Sequence, residues 1–224
     1  MKINKMRSIK RKKINIKSLY QAEKGRDIVI LGNGPSLREM DFSKLSNPVF
    51  IGLNGSALIA EEAGIKEHYY VLSDLRFVKD KTKLGILKDN LCEESKVIAR
   101  KELINYLSDE ITNEQFSVRS LGRDGFSEDM SKGFYFGCTT VMLALQLAYY
   151  LGGRRVYLCG VDLKYDPSKP RFYKEDKVHS VDNFSCVQIH NIRNSYKLLK
   201  EKGVGLFNCS ANSLLKPYIP YYEM

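Results

Sequence analysis

The chain alternates between short apolar runs and longer polar or amphipathic stretches. The compact runs are "DIVIL" (27–31), "PVFIGLN" (48–54), "HYYVLSD" (68–74), "KVIAR" (96–100), "QFSVRS" (115–120), "RVYLCGVDL" (155–163) and "VGLFNC" (204–209). Apolar runs of this length, bounded by turn residues, predict strands; "DIVIL" reads as buried and "RVYLCGVDL" as apolar on both faces, as in the middle of a parallel sheet. Between them, "SLREMDFSKL" (36–45) predicts a short helix or turn with Ser36 as its cap. "SALIAEEAG" and "KELINYL" predict helices, the first closed by Gly64. "CTTVMLALQLAYYLGG" (138–153) is apolar on every side, the mark of a helix packed inside the molecule. "NIRNSYKLLKEKG" (191–203) sets Ile192, Tyr196 and Leu199 on one helical face. Strands alternating with helices predict an α/β fold, a doubly wound, mostly parallel Rossmann-like sheet.

Ligands in such sheets bind beyond the carboxyl ends of the strands, so the residues there are the candidates. They are Gly32, Asn33, Gly34 and Ser36 after the first run, Asn54 after the second, Asp74 after the third, Gly160 and Asp162 after "RVYLC", and "CSANS" (209–213) after the last. Gly32 and Gly34 permit close approach, and the turn after them is expected to offer N–H groups to an anion. Asn33 and Asn54 each donate and accept, which suits a base or ribose. The dinucleotide fingerprint is incomplete, because Leu37 stands where a third glycine belongs. No acid ends the second strand, where Asn54 stands, so NAD is disfavoured. No Walker motif, HExxH or carboxylate pair at ligand spacing occurs, so no metal site or cofactor is expected.

A stretch of about 26 residues, Lys164 to Ile189, lacks helix or strand periodicity and reads as a lid. It carries Tyr165, Arg171, Tyr173, Lys174, Lys177 and His179. His190, read at the start of the last helix, is the candidate general base, with His179 the alternative.

The length of 224 residues suits one domain, read as 27–224. The net charge of +10 lies almost wholly in residues 1–26, where ten Lys or Arg face only Glu23. The remaining body is near neutral, which argues against nucleic acid as the partner. This basic leader has no apolar core like that of a secretory signal. It is expected to be a solvated tail or a membrane-surface segment attracted to anionic lipid. Five cysteines without CxxC spacing read as reduced thiols of a cytosolic protein. The longest apolar run, 139–151, is shorter than the ~20 residues of a membrane span. Peripheral attachment and self-association stay open.

Three blocks, "ILGNGPSLREMDFSKL", "LALQLAYYLGGRRVYLCGVDL" and "NSYKLLKEKGVGLFNCSANSLL", resemble the bacterial sialyltransferases of glycosyltransferase family 42. That resemblance spans most of residues 27–215. It implies inverting, metal-independent transfer of an acidic sugar, sialic acid-like or Kdo-like, from a CMP-activated donor to a glycan or glycolipid hydroxyl. It implies Asn33, Asn54, Gly160 and Asp162 along the CMP, with Thr139 and Thr140 meeting it from the buried helix. His190 would deprotonate the acceptor, and Tyr165 or Tyr173 would hydrogen-bond the departing phosphate. Surface glycan synthesis, of lipopolysaccharide or capsule, is the implied setting. Two departures stand out: "GFYFGCTT" lacks the family's arginine before the buried helix, and Asp74 replaces its asparagine. The "GNGPSL" start and "AGIKEHYYVLSDLRF" also resemble the archaeal pterin pyrophosphokinase-like group, which implies magnesium, a nucleoside triphosphate, and Asp74 and Asp162 as metal ligands. A non-catalytic nucleotide-binding scaffold is the third reading.

Overall fold

A computed structural model describes residues 14–107, 111–164, 171–172 and 183–224. Seven strands form one parallel sheet: β1 (Asp27–Leu31), β2 (Val49–Leu53), β3 (Tyr69–Leu72), β4 (Lys96–Arg100), β5 (Gln115–Val118), β8 (Arg155–Cys159) and β9 (Gly205–Asn208). A separate parallel pair, β6 (Ser120–Gly122) and β7 (Phe134–Tyr135), lies between β5 and β8 in the chain. The order across the sheet is β5-β4-β3-β2-β1-β8-β9. The chain winds outward from β1 on one side, crosses back, and winds outward again from β8. The order therefore reverses between β1 and β8, the place where such sheets bind ligands.

Every residue of β1, β2 and β3 is buried, as the unbroken apolar runs predict. Ile28 and Ile30 face a core shared with helices α5 (Thr140–Tyr150) and α6 (Ser185–Glu201). Val29 and Leu31 face the opposite layer, with Leu37, Ile59 and Tyr157. All residues of α5 except Tyr149 are buried, so its leucines each contribute roughly 1.5–3 kcal/mol by leaving water. The remaining helices are α1 (Ala57–Glu62), α2 (Leu75–Lys79), α3 (Lys81–Asn90) and α4 (Ile104–Leu107).

Several expectations need correction. The stretch 36–45 forms two 3-10 turns, Pro35–Glu39 and Phe42–Lys44, and the first is capped by Gly34 with Pro35 following, not by Ser36. The last helix begins at Ser185, so His190 stands in its second turn, and residues 185–189 of the expected lid are helical. The folded body also reaches back into the stretch read as leader. A 3-10 turn at Ile16–Leu19 buries Ile16 and Leu19 in the main core. Backbone bonds from Gln21, Glu23 and Gly25 to Tyr150, Leu151 and Gly152 fix the segment beyond it. Residues 1–13 lie outside the described structure.

One buried carboxyl follows from the sheet's packing. Gly52 leaves room above β2 for the Glu67 side chain, which is 1 % exposed and accepts the Ser56 hydroxyl at 2.6 Å. Ser56 Oγ in turn accepts the Leu53 N–H at 2.9 Å, which holds the β2–α1 turn. Burial raises the Glu67 pKa to about 7, from 4.5 in the open chain, and the Ser56 bond opposes the rise. A pKa raised in the fold gives stability that is complete below about pH 4.5 and is lost as pH rises through about 7. Glu67→Gln keeps a hydrogen-bond acceptor but cannot ionise. Urea unfolding at pH 4.5 and pH 8 should therefore show the variant gaining on the wild type by on the order of 3 kcal/mol across that interval. An unchanged difference between the two proteins would show that Glu67 ionises freely.

Candidate functional site

The carboxyl ends of β1 and β8 come together because three glycines stand there. The Gly32 N–H reaches Cys159 O and the Gly34 N–H reaches Gly160 O, each at 2.7 Å, which extends the β1–β8 pairing past both strands. A Cβ on Gly32 would sit 2.3 Å from Gly160 O, and one on Gly34 would sit 2.3 Å from Asp162 Oδ2. Gly160 itself adopts φ +66°. A cavity of about 80 Å³ opens there, lined among others by Gly34, Asn54, Thr139, Lys164 and Arg171. Ligand pockets usually measure about 300 Å³ or more, so this volume admits a phosphate or part of a nucleoside.

The structure brings many of the sequence candidates to one cavity wall. Gly32, Asn33, Gly34, Asn54, Thr139, Gly160 and Asp162 all line the cavity. Asn33 Oδ1 accepts the Gly55 N–H at 3.2 Å, which joins the two strand-end turns. Asn54 is held at φ +54°, and its buried Oδ1 has no hydrogen-bond partner among the described residues. Buried oxygens are ordinarily satisfied, so this one points to a missing donor. Leu163 and Cys138 also take positive φ, at +53° and +57°. Three non-glycine residues in this costly region beside one cavity form the kind of cluster found at binding sites.

The turn at Pro35 does not offer the N–H groups the sequence suggests. They are used within the protein: Asp162 Oδ2 accepts the Ser36 N–H at 3.2 Å and its Oδ1 the Ser36 hydroxyl at 2.5 Å, while the Gly34 N–H goes to Gly160 O and the Leu37 N–H to Gly34 O. Ser36 Oγ also lies 2.8 Å from Ser210 Oγ, which joins the β9 end to the site. The positive charge comes from elsewhere. Lys164 and Arg171 outnumber the single Asp162 in the cavity wall. The N-terminus of α5 adds its partial charge, since Thr139 caps that helix by accepting the Val141 N–H and both residues line the cavity.

Thr140 and Asp74 stand back from the cavity. Thr140 is buried with Oγ1 2.9 Å from Ser73 Oγ, and Asp74 caps α2 and pairs with Arg76 at 2.8 Å. His190 is also absent from the cavity wall; it is exposed on α6, with Nε2 2.9 Å from Asn194 Nδ2. Its helix is tied to the same turn as Thr139, since Gln188 Nε2 donates to Cys138 O at 3.0 Å. Asn191 next to it donates to Asp124 Oδ1 at 2.9 Å and accepts the Gly125 N–H. Hydrogen bonds from Arg123 and Asn191 hold the Asp124 carboxyl below its usual range. Tyr165, Tyr173 and His179 lie outside the described residues. Lys164 and Arg123 are the charged neighbours that sequence reading left unassigned. The Arg123 carbonyl accepts the Gly137 N–H at 2.8 Å, so the turn before α5 gains a neighbouring arginine from a distant segment.

Known proteins agree with this architecture. The profile of the family described as 6-hydroxymethylpterin diphosphokinase MptE-like matches residues 2–168. The chain belongs to that MptE-like family. Among curated proteins, this MptE-like chain is 26% identical over 202 residues to the probable 3-deoxy-manno-octulosonic acid transferase of Escherichia coli (strain K12), covering 74% of the chain and 70% of that protein. Among solved structures, it superimposes on the MAf glycosyltransferase of Magnetospirillum magneticum AMB-1 with a TM-score of 0.63 at 16% identity. That match covers 90% of the chain but 34% of the larger protein, so the chain spans about a third of it. It also superimposes on the sialyltransferase CstII of Campylobacter jejuni, solved with the substrate analogue cytidine-5'-monophosphate, with a TM-score of 0.56 at 18% identity. Coverage there is 88% of the chain and 85% of CstII. The curated relative and both solved neighbours are glycosyltransferases by name. Among the described residues no helix is long and apolar enough to cross a membrane, and no three His, Cys, Asp or Glu side chains gather as a metal site would require.

Proposed function

We propose that this MptE-like chain is an inverting glycosyltransferase that moves an acidic sugar from a CMP-activated donor to a glycan hydroxyl, without a metal. The observation that carries the reading is the cavity at the β1–β8 reversal. It joins two asparagines, one whose buried oxygen has no hydrogen-bond partner among the described residues, to a wall that carries Lys164 and Arg171. The exocyclic amine of cytosine or a ribose hydroxyl is the donor that the Asn54 oxygen lacks. Lys164, Arg171 and the α5 N-terminus suit the CMP phosphate, whose charge grows as the sugar departs. In the transfer step the acceptor oxygen attacks the anomeric carbon from the face opposite the phosphate. The bond from that carbon to the phosphate oxygen breaks, CMP leaves as a phosphate monoester, and His190 takes the acceptor proton. Tyr165 and Tyr173 remain candidates to hydrogen-bond the leaving phosphate. The CMP complex of CstII supports a CMP-activated donor, and the names sialyltransferase and 3-deoxy-manno-octulosonic acid transferase support an acidic sugar as the transferred group. A glycan or glycolipid of the cell surface is the corresponding acceptor class, with the basic residues near the start of the chain suited to an anionic membrane.

A second reading, pterin diphosphokinase, rests on the family profile itself. It would use Asp74 and Asp162 as metal ligands, yet each carboxylate is already engaged, by Arg76 and by Ser36 respectively. Product analysis with CMP-activated sugars in one arm, and ATP with magnesium and a hydroxymethylpterin in the other, separates the two.

A further inference from the structure

On α6, outside the cavity wall, one arginine has its hydrogen-bonding groups unused among the described residues. Arg193 lies on the exposed face of α6, three residues after His190, so the two side chains are neighbours on the helix. Its guanidinium stands 5.6 Å from the centre of the Tyr218 ring, within cation–π range. Among the described residues it makes no hydrogen bond and no ion pair. Arg26, Arg38, Arg76, Arg100, Arg123, Arg154 and Arg155, by contrast, all pair with carboxylates. The segment carrying Tyr218 is anchored to the candidate site. Its Leu214 N–H donates to Asp162 O at 3.0 Å and its Ser213 hydroxyl donates to Val161 O at 2.7 Å. Leu214 and Tyr218 are nonetheless 41% and 42% exposed.

We propose that Arg193 and Tyr218 form an acceptor subsite for an acidic sugar residue, so that this enzyme extends glycans that already carry a carboxylate. The inference rests on the transferase reading and deepens it. A guanidinium offers two parallel N–H donors that match a carboxylate, and the Tyr218 ring fixes the fork in place before the ligand arrives. The exposed side chains of Tyr218 and Leu214 give the C–H face of a pyranose an apolar surface to cover. An acidic residue held there sits beside His190, where the hydroxyl to be deprotonated must lie.

The test titrates the full chain with 3′-sialyllactose as the acidic probe and lactose as its neutral counterpart, by protein-observed NMR, with and without saturating CMP. The acidic probe should bind at least tenfold more tightly than lactose. Arg193→Ala and Tyr218→Ala should each weaken it at least fivefold while CMP affinity stays within twofold. Arg193→Lys should recover only part of the loss, because an ammonium cannot form the paired bonds. Equal affinity for the two probes, or unchanged acidic-probe binding in Arg193→Ala, overturns the subsite. Failure of CMP to bind counts against the donor reading alone, since the arm without CMP still measures the subsite.

Discussion

Replacing His190 by alanine should lower turnover of the transfer about 10²–10⁴-fold, the range that a positioned general base contributes. CMP affinity should remain within twofold, because His190 stands outside the cavity wall. The residue is exposed on α6, the helix that Gln188 ties to the turn carrying Thr139. Asn194 Nδ2, 2.9 Å from Nε2, can only donate to that nitrogen and must let go when Nε2 takes a proton, so Asn194→Ala should leave turnover unchanged or raise it. Steady-state kinetics with a CMP-activated sugar, beside CMP titration of the same proteins, checks both. Full turnover in His190→Ala would move the role of base to another group, with His179 next in line.

Gly32→Ala should be the most disruptive substitution at the site. The new methyl would stand 2.3 Å from Gly160 O and 2.7 Å from Gly160 C, which are backbone atoms that no rotamer change can clear. Either β1 and β8 separate or the turn after β8 shifts, and both deform the wall containing Asn33 and Asp162. Overpacking of this kind costs about 1–3 kcal/mol, and the affinity for CMP should fall at least tenfold. Gly85→Ala is the control. Gly85 lies inside α3 with open space around it, so alanine there should stabilise by about 0.5–1 kcal/mol and leave CMP binding alone. Urea unfolding and CMP titration read both; equal stability of Gly32→Ala and wild type would show that the approach of β1 to β8 is not tight.

The centre of the sheet was legible because its strands are compact apolar runs, and burial on both faces leaves no other place for "DIVIL" or "RVYLC", whereas the edge strands β5 and β9 alternate buried with more exposed residues. α2 and α3 were missed. α3 buries only Leu87, so its sequence shows little apolar periodicity, although Asp80 as its cap was a usable signal. The start of α6 was placed late because its buried face carries Gln188 and Asn191, polar residues that serve neighbouring turns and break the apolar pattern. The Ile16–Leu19 turn was hidden inside a basic run, where two buried side chains settle the fate of the segment.

At the site, the glycines and asparagines were legible because close approach and dual hydrogen bonding each require particular residue types. Which groups are consumed within the protein was not. Asp162 takes the Ser36 N–H from 126 positions away, so a turn that reads as an anion cradle is already closed. Lys164 and Arg123 likewise gain meaning only from neighbours far along the chain.

The central claim concerns the chemistry at the β1–β8 reversal, and ³¹P NMR of the reaction products tests it most directly. The full chain is incubated with CMP-activated sialic acid or Kdo and a glycan acceptor, with and without EDTA. The account predicts that the phosphodiester signal of the donor gives way to the phosphomonoester signal of CMP, that release depends on acceptor, and that EDTA leaves it unchanged. No CMP release from either donor, together with conversion of ATP to AMP in the presence of magnesium and a hydroxymethylpterin, would contradict it.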